Sequence, residues 1–107
     1  MPSEHSGHIP DVILPQQAGT LAGLFRERVA RSPDQVAYRQ FDPQRHVWDD
    51  ISWREMGAAV ARWQAAMQRE GLVRGDRVAI MLRNCREWVM FDQAALGLGL
   101  VVIPLYT

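Results

Sequence analysis

The segment that decides the fold spans residues 75–106 and reads GDRVAIMLRNCREWVMFDQAALGLGLVVIPLY. It opens on a Gly-Asp turn signal, and the apolar positions of Arg77–Leu82 are typical of a strand. A helical pattern follows from Cys85 to Leu98, and Leu100–Leu105 is almost unbroken apolar sequence. The order strand, helix, strand predicts a β-α-β unit with parallel strands and a right-handed crossover.

The sequence before this unit carries signals for a helix and a hairpin. Thr20 is suited to cap a helix that Pro33 ends near Arg31. Two short segments with strand-like patterns, Val36–Phe41 and Val47–Ile51, then flank an Asp-Pro turn. Because so short a turn joins them, they are predicted to pair antiparallel.

A second helix is the best specified element of the chain. Ser52 and Glu55 have the spacing of a capping box, and Gly71 can close the helix in a left-handed conformation. Gln64 is predicted to face solvent. Five apolar side chains recur every three or four residues and are predicted to be buried in the core, with a ligand surface as the alternative: Trp53, Met56, Val60, Trp63 and Met67.

This assignment predicts the effect of two replacements on stability. Replacing Trp63 with Ala should lower the free energy of unfolding by on the order of 3–5 kcal/mol, and replacing Gln64 should change it by no more than about 0.5 kcal/mol.

These elements are too few to complete a parallel sheet. Parallel strands are stable when both faces are covered, and two helices and one hairpin cannot cover them. The sequence therefore predicts that further strands and helices follow Thr107, with residues 1–19 as an irregular lead-in. The chain alone is expected to expose apolar surface around Cys85–Leu98 and Leu100–Leu105, and to self-associate through it.

Composition excludes several classes of function. The chain has 107 residues, of which 48% are apolar and 22% charged, and its twelve acidic residues balance twelve basic ones. Zero net charge gives no global attraction to nucleic acid or to an anionic membrane. Every basic residue is Arg, so no lysine-dependent chemistry resides here. One cysteine, no signal peptide and no apolar run long enough to span a bilayer predict a cytoplasmic protein that is not transmembrane.

Candidate site residues are few, and each has a purely structural alternative. Arg83 follows a strand and can meet an anion beside the helix that Asn84 is predicted to cap, but it can equally be solvated. Cys85 in the first helical turn favours a thiolate, yet no His lies nearby in sequence, and a small buried Cys is the alternative. His5 and His8 form a pair that lacks the Cys or carboxylate support of most metal sites. No phosphate-binding loop and no Gly-x-Ser-x-Gly elbow occurs, so no catalytic, cofactor-binding or metal residue is assigned.

The ordered set of motifs resembles a known family. Residues 75–82 (GDRVAIML), 84–88 (NCREW) and 95–106 (ALGLGLVVIPLY) closely resemble the opening β-α-β unit of AMP-forming acyl-CoA synthetases, which belong to the adenylate-forming superfamily. Upstream motifs stand in the family's order: Thr20-Leu21, Arg31-Ser32-Pro33-Asp34 and Ile51-Ser52-Trp53-Arg54-Glu55. The resemblance covers about Thr20 to Thr107, and its ending VVIPLYT is more similar to the long-chain fatty acyl branch. Arg86 stands where the family often has Pro, which leaves the expected fold unchanged.

The resemblance implies an α/β fold. Residues 20–107 would be the incomplete start of the large N-terminal AMP-binding domain, with a β-hairpin, amphipathic helices and one parallel β-α-β unit. The parent enzyme would use ATP and Mg²⁺ to convert a fatty acid to an acyl-adenylate, and CoA would then displace AMP. The family's phosphate loop, ribose-binding Asp and catalytic Lys have no matching position here.

This chain alone is therefore expected to be inactive and to bind no ATP, CoA or Mg²⁺. It would be a scaffold whose partner is the remainder of the parent chain, with no nucleic-acid partner. Two alternatives stay open: a free-standing α/β binding or interaction module, and a doubly wound nucleotide-binding regulatory domain. Peripheral attachment of the parent enzyme to a membrane is also left open.

Overall fold

The computed structural model describes residues 11–106, which form a mixed α/β structure. Its elements in chain order are α1 (Pro15–Ala18), α2 (Leu21–Arg31), β1 (Val36–Asp42), β2 (Val47–Ser52), α3 (Trp53–Arg69), β3 (Arg77–Ile80), α4 (Arg86–Gly97) and β4 (Val101–Pro104). Strands β1 and β2 form an antiparallel hairpin, and β3 and β4 form a separate parallel pair. Both predicted strand pairings are confirmed.

The parallel pair is shorter than the sequence predicts. Arg77 lies opposite Val101 and Ile80 opposite Pro104, where both strands end. Pro104 has no N–H to donate, which limits the ladder at this point. One further bond, from the Leu105 N–H to the Ile80 carbonyl at 2.8 Å, holds the chain beyond it.

Helices α2 and α3 begin as predicted. The Gly23 N–H donates to Thr20 Oγ1 at 2.9 Å. At the start of α3 the Glu55 N–H donates to Ser52 Oγ at 3.1 Å, and the Ser52 N–H donates to Glu55 Oε1 at 2.9 Å, which completes the capping box. Gly71 has a φ of 79°, as its predicted role after α3 requires.

Helix α4 is capped in a way the sequence does not show. The prediction that Asn84 caps it is wrong, because Cys85 is the N-cap residue and makes no side-chain cap. The Arg86 N–H instead donates to Gln40 Oε1 of the hairpin at 2.9 Å. The acceptor for the first turn of α4 therefore comes from a residue that lies 46 positions earlier in the sequence.

Replacing Gln40 with Ala is expected to destabilise the protein by about 1 kcal/mol, since the half-buried Arg86 N–H loses its acceptor. Denaturant melts would measure the loss, and faster amide exchange at Arg86 would locate it. Gln44 in the hairpin turn is the control, because its exposed side chain makes no such contact. Equal losses at both positions would contradict the capping role.

The core lies between α3 and α4. These two helices supply most of its buried residues, and α2, β2 and the residue directly before β4 supply one each. The buried residues of this core cluster are Phe25, Ile51, Met56, Ala59, Val60, Met67, Met90, Ala94, Ala95 and Leu100. Met56, Ala94 and Ala95 have no exposed surface.

The predicted burial of the α3 stripe is only partly right. Met56, Val60 and Met67 are buried, whereas Trp53 is half-buried. Trp63 is 36% exposed and packs edge-on against the Phe91 ring, with centroids 5.6 Å apart. The prediction that Trp63 lies in the core is therefore wrong.

Gln64 was predicted to face solvent, and that prediction is also wrong. The side chain is half-buried, and its Nε2 donates to the Ala94 carbonyl at 3.2 Å. A Cβ added at Gly97 would clash with the same nitrogen. Because α4 presents small residues here, it approaches α3 closely on the Gln64 side. Since both Trp63 and Gln64 are partly exposed, the predicted contrast between a core replacement at Trp63 and a surface replacement at Gln64 no longer applies.

Exposed apolar side chains occur on several elements, and one group of them lies on β4 and the residues that follow it. Helix α4 is covered by α2, α3 and β4, so the predicted exposed patch does not include most of that helix. Val101, Ile103 and Leu105 are 40–48% exposed, and Tyr106 is 91% exposed. None of the helices within residues 11–106 is long and apolar enough to cross a membrane.

Candidate functional site

The carboxyl end of the β3–β4 pair carries an open cleft of about 780 Å³. This is the edge at which open parallel sheets bind their ligands. Arg83 and Asn84 are exposed there, beside a wall of apolar side chains. The lining residues are Met81, Leu82, Arg83, Asn84, Trp88, Pro104, Leu105 and Tyr106.

Arg83 is the positively charged residue that lines this cleft. Its guanidinium forms no ion pair within the described part of the chain. It also lines a second cleft of about 640 Å³ between the hairpin and α4, where Arg39 and Arg86 are the other cations and Phe41 and Trp48 supply aromatic surface. The two clefts therefore adjoin at Arg83. This arrangement can hold an anion but contains no nucleophile and base in contact.

The remaining residues that the sequence singled out do not assemble with Arg83 into a catalytic group. Cys85 is half-buried at the N-cap of α4. His46, the one histidine within residues 11–106, was not singled out; it lies in the hairpin turn with its ring edge-on to Phe41, centroids 6.1 Å apart. His5 and His8 lie outside the described residues. Within residues 11–106 no group of three His, Cys, Asp or Glu side chains could hold a metal ion.

A third cleft, of about 550 Å³, lies between α2 and α4 and was not anticipated from the sequence. Phe25, Tyr38 and Trp53 contribute aromatic rings to its wall, and Asp92 and Gln93 contribute polar groups from α4. Burial raises the pKa of Asp92 and of Tyr38. The available signal in the sequence was Asp92 itself, the one charged residue between Trp88 and Leu98.

The raised pKa of Asp92 predicts a pH dependence of stability. Because the folded chain holds this proton more tightly than the unfolded chain, the contribution of Asp92 to stability should fall as the pH rises from the ordinary value of 3.8 through the raised pKa, and then level off. Asp92→Asn should remove this contribution and leave the protein more stable than wild type at pH 7. Urea melts between pH 3 and 7 would test this, with the exposed Asp34→Asn as the control. A less stable Asp92→Asn protein at pH 7 would contradict it.

Comparison with known proteins identifies the family. The AMP-binding enzyme family matches residues 25–107. A long-chain-fatty-acid–CoA ligase of Bacillus subtilis (strain 168) is 31% identical over 98% of this chain and 18% of its own length. Long-chain-fatty-acid–CoA ligase FadD15 of Mycobacterium bovis is 29% identical over 80% of this chain and 14% of its own length. The chain thus spans less than a fifth of these relatives.

Solved structures agree in fold. The N-terminal subdomain of Klebsiella oxytoca NpsA matches with a TM-score of 0.70 and 30% identity over 80% of this chain and 21% of that one. A Mycobacterium tuberculosis fatty acyl CoA synthetase has a TM-score of 0.70 and 27% identity over 83% of this chain and 17% of that one. The family match covers α3, α4, both strand pairs and the Arg83 edge, and the motifs of the β-α-β unit are those of this family. The chain belongs to the AMP-binding enzyme family, and its relatives include acyl-CoA ligases.

Proposed function

We propose that this chain is the N-terminal scaffold segment of an ATP-dependent acyl-CoA synthetase that activates a long-chain fatty acid. The observation that carries the proposal is the family match over residues 25–107, which takes in nearly every described element. The names of two similar relatives, both long-chain-fatty-acid–CoA ligases, favour that substrate class. In the parent enzyme a fatty acid carboxylate would attack the α-phosphorus of ATP and release pyrophosphate. The CoA thiol would then displace AMP to give acyl-CoA.

The segment's own contribution is architectural. Helices α2, α3 and α4 form its core, and β3 and β4 begin a parallel sheet. Val101, Ile103 and Leu105 are the surface through which further strands and helices of the parent would pack, because a parallel sheet needs cover on both faces. A start of this domain at residue 20, a cytoplasmic location and self-association of the isolated chain belong to the same proposal.

The described residues form no site that fits the Mg²⁺ of the reaction. The sequence also contains no lysine, so the family's catalytic Lys has no counterpart in this chain. No carboxylate cluster that suits Mg²⁺ occurs within residues 11–106. ATP, CoA and Mg²⁺ would therefore be held elsewhere in the parent enzyme, and no catalytic step is assigned to a residue of this chain.

Activity assays test the proposal. The protein encoded by the full reading frame should release pyrophosphate when given ATP, Mg²⁺, CoA and palmitate, and should do so more slowly with acetate. The 107-residue chain alone should match a no-protein control. Turnover by the chain alone would contradict the scaffold role. A reading frame that ends at Thr107 would remove the enzyme proposal and favour a free-standing binding or interaction module.

A further inference from the structure

We propose that the cleft between α2 and α4 binds an organic ammonium group carried on an apolar molecule. The cleft of about 550 Å³ falls within the size range of small-molecule sites, about 300–1,000 Å³. Three kinds of group line it together: aromatic rings, the polar side chains Asp92 and Gln93 of α4, and aliphatic side chains such as Leu24 and Leu96. No residue of the Arg83 edge takes part, so the inference is independent of the proposed synthetase function.

Its aromatic wall is a contacting group of three rings centred on Trp53. The Phe25 and Trp53 centroids are 6.1 Å apart with planes at 66°, and those of Tyr38 and Trp53 are 5.8 Å apart at 60°. All three rings line the cleft. The negative electrostatic potential of an aromatic face attracts an ammonium group, most strongly where water is partly excluded.

The polar side of the cleft carries a carboxylate without a partner. Asp92 is half-buried, and burial raises its pKa with no hydrogen bond or neighbouring charge to oppose the shift. Gln93 lies beside it on the wall, but Gln93 Oε1 is enclosed by the protein and does not face a ligand. A half-buried carboxylate is stabilised by a cation. A ligand that brings a positive charge would therefore compensate Asp92.

The other charges on the cleft compensate each other. Arg28 donates to Asp11 Oδ2 at 2.6 Å, to the Asp11 carbonyl at 2.7 Å and to Ser32 Oγ at 2.9 Å. Burial raises the pKa of Tyr38, which keeps its hydroxyl neutral. Asp92 is therefore the uncompensated charge, and the cleft carries a net charge of about −1, which favours a cation over a neutral ligand of the same shape.

The test uses two probes of matched shape, n-hexylamine, which is charged at pH 7, and 1-hexanol, which is neutral. Binding would be followed by the indole N–H signal of Trp53 in ¹⁵N-tryptophan-labelled protein. The amine should shift this signal at a concentration about tenfold lower than the alcohol. Asp92→Asn should weaken amine binding about tenfold and leave the alcohol unchanged. Asp34→Asn, which removes an exposed carboxylate paired with Arg54, should change neither.

Three outcomes would overturn the proposal: equal affinities for the two probes, unchanged amine binding by Asp92→Asn, or equal weakening by Asp34→Asn. Thermal melts of each variant show whether a loss of binding reflects unfolding. The blocked peptide acetyl-Ala-Lys-Ala-amide is a third probe, which tests whether the cleft binds the ammonium group of a lysine side chain in a polypeptide in place of a small-molecule amine. Binding of the peptide without binding of n-hexylamine would overturn a small-molecule site.

Discussion

Met56→Ala is expected to lower the free energy of unfolding by about 2–5 kcal/mol. Met56 has no exposed surface and is the largest side chain that is completely buried. Truncation removes its buried methylene and thioether groups and leaves a cavity that α3 and α4 can fill only in part. Urea denaturation monitored by circular dichroism would measure the change.

Met81 provides the matched control, because it is the same residue type but 58% exposed. Met81→Ala should change the stability by no more than about 0.5 kcal/mol. Similar losses at both positions would mean that the inward face of α3 has been assigned incorrectly.

Ala94→Leu is expected to destabilise the protein by about 1–3 kcal/mol through overpacking. Ala94 has no exposed surface, and its carbonyl accepts from Gln64 Nε2 across the contact between α3 and α4. A leucine side chain at this position would separate the two helices or force strained rotamers. Denaturant melts would measure the loss, and weaker near-ultraviolet circular dichroism would report looser aromatic packing.

The exposed Ala65 on α3 is the control for size and helix propensity. Ala65→Leu should stay within about 0.5 kcal/mol of wild type. An Ala94→Leu protein as stable as wild type would show that the two helices are not packed as closely as Ala94 and Gly97 indicate.

Features encoded by neighbouring residues could be predicted from the sequence. Thr20 and the pair Ser52 and Glu55 cap their helices through bonds within one turn. The parallel order of β3 and β4 follows from the helix between them, because a helical crossover returns the chain in the same direction. The position of Arg83 at the carboxyl edge follows from the same reasoning.

Features set by packing between distant segments could not be predicted. Periodicity placed Trp63 inward and Gln64 outward, but the side from which α4 approaches α3 decides their burial, and that depends on the small residues Ala94 and Gly97. The cap at Arg86 comes from Gln40, which no local motif indicates. The α2–α4 cleft likewise combines Asp92 with rings from three other elements, so no stretch of sequence contains its pattern.

The bond between Gln40 and Arg86 also bears on the order in which the chain folds during synthesis. Domains emerge from the ribosome amino-terminal end first, so the hairpin leaves the ribosome before α4 does. Gln40 would then offer an acceptor to the Arg86 N–H as the first turn of α4 forms. We would therefore expect the hairpin to help position α4, the crossover helix that β4 needs in order to reach β3.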